Sequence, residues 1–107
     1  MNLSENSEVF ECLYISNDDD FTFPVNNNTE TIYLLNCIFE GSFITFKDGN
    51  IKKLILNNCA FEDVSGFLIE NKHSLNDVEM YFKNCLNPKD SFIEYKFLKS
   101  WRVKYGR

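Results

Sequence analysis

The sequence has little of what most catalytic and metal sites need. It holds one histidine, His73, and two arginines, Arg102 and Arg107. With a lone histidine and no serine or cysteine elbow beside it, a nucleophilic triad has no parts to assemble from. No Cys-x-x-Cys pair occurs, so zinc-finger spacing is absent. No glycine-rich phosphate loop occurs, which removes the common nucleotide enzymes. Four glycines and two prolines exclude collagen-like and linker-like chains, and Ala60 is the only alanine. No apolar run approaches the roughly 20 residues that span a bilayer. The first residues carry neither a basic stretch nor an apolar one, so no secretory signal is expected, and the chain reads as cytoplasmic.

What is present describes one folded domain covering residues 1–107. Hydrophobic residues make up 44% and charged residues 25%, a globular balance, and eleven phenylalanines make the chain rich in aromatics. All sixteen acids precede residue 95, against six bases there, so residues 1–95 carry −10. Residues 96–107 carry +5 from Lys96, Lys99, Arg102, Lys104 and Arg107. Such an acidic body repels nucleic-acid backbones and favours basic partners. Nine lysines against two arginines, with abundant asparagine, match the codon usage of an AT-rich bacterial or phage genome.

The chain repeats itself. Ile32-Tyr-Leu34-Leu-Asn36-Cys37-Ile-Phe39 aligns with Leu54-Ile-Leu56-Asn-Asn58-Cys59-Ala-Phe61 and with Met80-Tyr-Phe82-Lys-Asn84-Cys85. The cysteines are 22 and 26 residues apart. A second apolar column follows: Phe43–Phe46, Phe67–Ile69 and Phe92–Tyr95. A degenerate copy precedes them, in which Phe10–Ile15 leads into Phe21-Thr-Phe23, with Phe21 placed over Phe43. Two-residue alternation predicts strands, and Asn26–Asn28, Asp48-Gly49-Asn50 and Asn71–Ser74 predict turns. A period of this length marks units that bury their apolar faces only by stacking.

These repeats resemble right-handed parallel β-helix repeats over roughly residues 8–95. The segment Ile51-x-x-Leu54-x-Leu56-x-x-Cys59-x-Phe61 also resembles a leucine-rich repeat, and Cys59–Asp63 resembles a pentapeptide repeat. The fold expected is mainly β: a short parallel β-helix or solenoid of about four coils. Residues 96–107 are expected to form a basic, aromatic C-terminal cap. Odd-numbered apolar residues from Ile93 to Tyr105 favour a strand there, while Phe97, Leu98 and Trp101 would share one face of a helix.

Residue by residue, the structural roles dominate. Asn36, Asn58 and Asn84 suit tight corners and stack as an amide ladder. Cys37, Cys59 and Cys85 share one repeat position and are expected to be reduced, buried hydrophobes. Asp18, Asp19 and Asp20, with Glu62 and Asp63, are the candidate partner-binding residues; no catalytic residue, metal ligand or cofactor is expected. The function expected is that of a non-enzymatic acidic binding protein. It would neutralise or inhibit a basic macromolecule, such as a toxin or a nucleic-acid-binding protein, in the manner of an immunity protein or a phage anti-defence inhibitor. No direct contact with nucleic acid or membrane is expected. The alternatives are an assembly module that associates through its end caps, and a fragment of a polysaccharide-active β-helix.

Overall fold

A computed structural model describes residues 6–17, 21–41, 43–62, 66–72, 77–87, 91–99 and 103–105. Twelve strands occur among them and no helix. They are β1 (Ser7–Glu11), β2 (Tyr14–Asn17), β3 (Phe21–Pro24), β4 (Thr31–Leu35), β5 (Ile38–Gly41) and β6 (Phe43–Lys47). Then follow β7 (Lys53–Asn57), β8 (Ala60–Glu62), β9 (Gly66–Glu70), β10 (Glu79–Asn87), β11 (Ser91–Lys99) and β12 (Val103–Tyr105).

Three rows of parallel strands stack in register. The first row is β1-β4-β7-β10 and the third is β3-β6-β9-β12. The second, β2-β5-β8, joins the first through the long β10, which pairs with both β7 and β8. Seven parallel strands thus form one curled sheet, an architecture compatible with a β-solenoid. The third row consists of strands where a leucine-rich repeat often carries a helix.

The two-residue period explains the core. Ile32, Leu54 and Met80 are register partners, as are Leu34, Leu56 and Phe82, and all six are buried. The intervening Tyr33, Ile55 and Tyr81 point the other way and are half-buried. Phe23, Phe46 and Phe67 from the third row join those six inward residues in one core, each fully buried. Phe23 and Phe46 stack with centroids 4.9 Å apart and planes 9° apart. Parallel strands place like residues directly over one another, so one apolar position in the repeat becomes a continuous column of core.

Two details differ from the expectation. Phe21 pairs with Ile44, not with Phe43, so the first copy is shifted by one residue and Phe23 lies beside Phe46. A one-residue shift exchanges the faces of a strand, and only this phase puts both aromatic rings inside. Nor does Phe92–Tyr95 continue the third row. It lies in β11, which runs antiparallel along the whole of β10, with Lys99 against Glu79 and Ser91 against Asn87. The place in the row goes to β12, whose Val103 pairs with Phe67. This antiparallel neighbour covers the edge that β10 would otherwise expose. The C-terminal segment is therefore strand, not helix, at residues 91–99 and 103–105.

Side chains complete the connections. The Asn71 amide accepts from the Ile51 N–H and donates to the Ile51 carbonyl, both at 2.8 Å, and so imitates one more strand residue. Glu8 accepts from the Thr29 hydroxyl at 2.6 Å and from the Asn26 N–H at 3.1 Å, fastening the turn at 26–29 to β1. Asn71→Ala is expected to cost about 1–3 kcal/mol in a denaturant titration, because it strands two backbone groups at the buried Ile51. A loss indistinguishable from zero would show that water replaces the amide.

Candidate functional site

The corner between the first and second rows concentrates the unusual residues. Asn36, Asn58 and Asn84 have φ of 55°, 58° and 53°, and Cys12 occupies the same corner in the first copy at 59°. Asparagine tolerates this left-handed conformation better than most residues. The turn redirects the chain while the ladder continues. The Asn36 N–H donates to Asn57 at 3.0 Å and the Asn58 N–H to Lys83 at 2.8 Å. The side chains also connect, Asn58 Nδ2 donating to Asn36 Oδ1 at 2.6 Å. The ladder expected from sequence is present between these two residues.

One residue on, Cys37, Cys59 and Cys85 turn inward, are buried and are free thiols; Cys12 is also free but exposed. Leu13 takes the cysteine place in the first copy, since Tyr14 pairs with Ile38. Cys59 Sγ lies 3.2 Å from the Leu34 carbonyl, and Cys85 Sγ 3.5 Å from that of Leu56. The thiols influence one another. Its two thiol neighbours and burial push Cys59 far above the ordinary thiol range. Hydrogen bonding with Cys59 lowers Cys37 and Cys85 to about 7, against the opposing effect of burial. Among the described residues no group of three or more His, Cys, Asp and Glu side chains is arranged to hold a metal ion.

A labelling experiment follows from this burial. In the native protein a thiol reagent is expected to modify Cys12 quickly and Cys37, Cys59 and Cys85 slowly, with all four reacting after unfolding. Rapid native labelling of the three buried thiols would contradict the placement of the row.

Outward from the same corner lies the exposed face of the second row. Tyr14, Ile38, Ala60 and Leu86 are successive register partners. Tyr14 is 62% exposed, Ile38 39% and Leu86 50%. Two residues further along the strands, Glu40 pairs with Glu62. Glu40 also accepts from the Tyr14 hydroxyl at 2.8 Å. Between the apolar row and the asparagine corner lies an open depression of about 380 Å³.

Of the candidate binding residues, Glu62 is exposed in β8, on this face. Asp18, Asp19, Asp20 and Asp63 lie outside the described residues, as does His73. Sequence reasoning missed the apolar row and Glu40. The repeat alignment contained the signal, because Ile38, Ala60 and Leu86 each follow a cysteine in the aligned copies. A search of protein families, of curated proteins and of solved structures finds no match to the chain.

Proposed function

We propose that this is a non-enzymatic binding protein whose acidic body covers a basic surface on a macromolecular partner and so neutralises it. The observation that carries the reading is the charge distribution, −10 over residues 1–95. It is joined by the pairing of Glu40 with Glu62 on an exposed sheet face. In this reading the body is a short β-solenoid of about four coils. β10 begins the last coil, and the basic C-terminal segment, residues 96–107, is the cap, which closes the third row through β12. Stacked coils bring carboxylates distant in sequence onto one surface. Asp18, Asp19, Asp20, Glu62 and Asp63 are the proposed contact residues, and the partner is a basic protein of the toxin or nucleic-acid-binding kind, met in the cytoplasm.

A second reading, an assembly module, draws on the open edges of β1, β2 and β3. Each pairs on one side only among the described residues. Salt separates the two readings, because electrostatic association weakens with ionic strength while apolar end-stacking does not.

The test is a pull-down from the native host, followed by association kinetics with the captured partner. Replacing Asp18, Asp19 and Asp20 by lysine is expected to slow association by on the order of tenfold at low salt and much less at high salt. Binding by the unmodified protein that ignores salt would reject the electrostatic reading.

A further inference from the structure

We propose that the outward face of the second strand row is the docking surface for a basic peptide segment of a partner protein, which seats one large apolar side chain over Ala60. The proposal rests on the reading above of an acidic binding protein and specifies where and how it binds.

Three observations converge on this face. The first is apolar exposure in one line. Tyr14, Ile38 and Leu86 are three of the four large hydrophobic side chains exposed among the described residues. Register places them in a single row across the strands, with Ala60 between Ile38 and Leu86. Contiguous apolar exposure on a sheet face is a feature of contact surfaces.

The second is shape. Ala60 is the only alanine of the chain and stands where the other copies carry tyrosine, isoleucine and leucine. Its missing volume leaves the depression, which is walled by Ile38 and Leu86 on one side and by the amides of Asn36, Asn58 and Asn84 on the other. Its volume of about 380 Å³ exceeds that of a single side chain. Apolar walls beside convergent amides suit an anchor residue whose neighbouring backbone hydrogen-bonds to the rim.

The third is charge. Glu40 and Glu62 lie side by side on adjacent strands at the far border of the apolar row. A guanidinium or ammonium group complements two adjacent carboxylates. The occupant is therefore an apolar or aromatic residue flanked by lysine or arginine. A phosphate backbone would be repelled. A second copy presenting its own acidic body would be repelled as well. The basic C-terminal segment of such a copy is already held in its own sheets, through β11 on β10 and β12 on β9.

The probe is a displayed library of random linear peptides, selected on the immobilised full chain. Binders are then measured against the unmodified protein, Ala60→Trp and Ile38→Lys. The expected peptides carry a large apolar residue beside lysine or arginine. Their affinity falls about tenfold or more with either substitution, as at a buried anchor, and falls again with salt. Circular dichroism checks that the variants fold; Ile38 is exposed, so Ile38→Lys carries the test should Ala60→Trp disturb β8. Basic peptides that bind both folded variants unchanged overturn this site and leave the acidic binding reading standing. Peptides without basic residues, or a library that yields no binder, overturn this site, while the acidic binding reading is decided separately by the salt dependence of the captured partner. Self-association of the unmodified protein that Ile38→Lys abolishes makes a second copy the occupant and also overturns the proposal.

Discussion

Replacing Leu56 by alanine is expected to destabilise the protein by about 2–5 kcal/mol. Leu56 is fully buried, with Leu34 and Phe82 as its register partners on either side. In a parallel stack a truncated side chain leaves a hole bounded above and below by neighbours whose backbones are fixed in the ladder. Little collapse can fill it, so both the lost transfer energy and the cavity count. Domains of this size have total stabilities of about 5–15 kcal/mol, so the substitution takes a large share. The control is Lys52→Ala. Lys52 is exposed and pairs with Glu30 at 3.3 Å, and a surface ion pair of this kind contributes about 0–1 kcal/mol. Urea midpoints measure both. Equal losses would contradict the inward phase of β7.

Phe46→Ala is expected to cost about 3–5 kcal/mol, the upper end for a core residue. Phe46 lies between Phe23 and Phe67, with ring centroids 4.9 and 6.4 Å away and planes inclined by 9° and 15°. Its removal opens the middle of the aromatic column of the third row and takes with it two ring contacts beyond the buried area. Phe46→Leu is expected to recover most of the loss, because it restores volume without the stacking. A Phe46→Ala variant as stable as the unmodified protein would mean that the third row does not face the core.

The first row and the corner that ends it were the legible part of this fold, whereas the second row, Ile38–Gly41 and Ala60–Glu62, read as part of the turn because its strands are short and follow the corner directly. Each repeat carries its own apolar alternation, and an Asn-Cys pair recurs at the corner. Those features are local, and local features are what sequence displays. The third row was less legible. The column position Phe43 against Phe21 looked equivalent by spacing alone, yet core packing selects Phe46 against Phe23. The C-terminal exchange was not legible at all. Phe92–Tyr95 has the composition of a third-row strand, and only the pairing of β11 with β10 and of β12 with β9 decides otherwise. That choice is made by long-range contacts. The candidate site divides in the same way. The excess of acid was countable from the sequence. The line of Tyr14, Ile38, Ala60 and Leu86 exists only once neighbouring strands are set in register, because each of these residues taken alone is an ordinary strand residue.

The stacked parallel register is the claim on which the core, the thiol row and the docking face all depend. Nuclear Overhauser contacts between side chains in a methyl-labelled sample test it most directly. The expected contacts connect Ile32 with Leu54 and Leu54 with Met80, and separately Leu34 with Leu56, matching the register of β4, β7 and β10. Contacts that instead pair these strands in antiparallel order, or that place Ile32 beside Leu56 and not Leu54, would contradict the account.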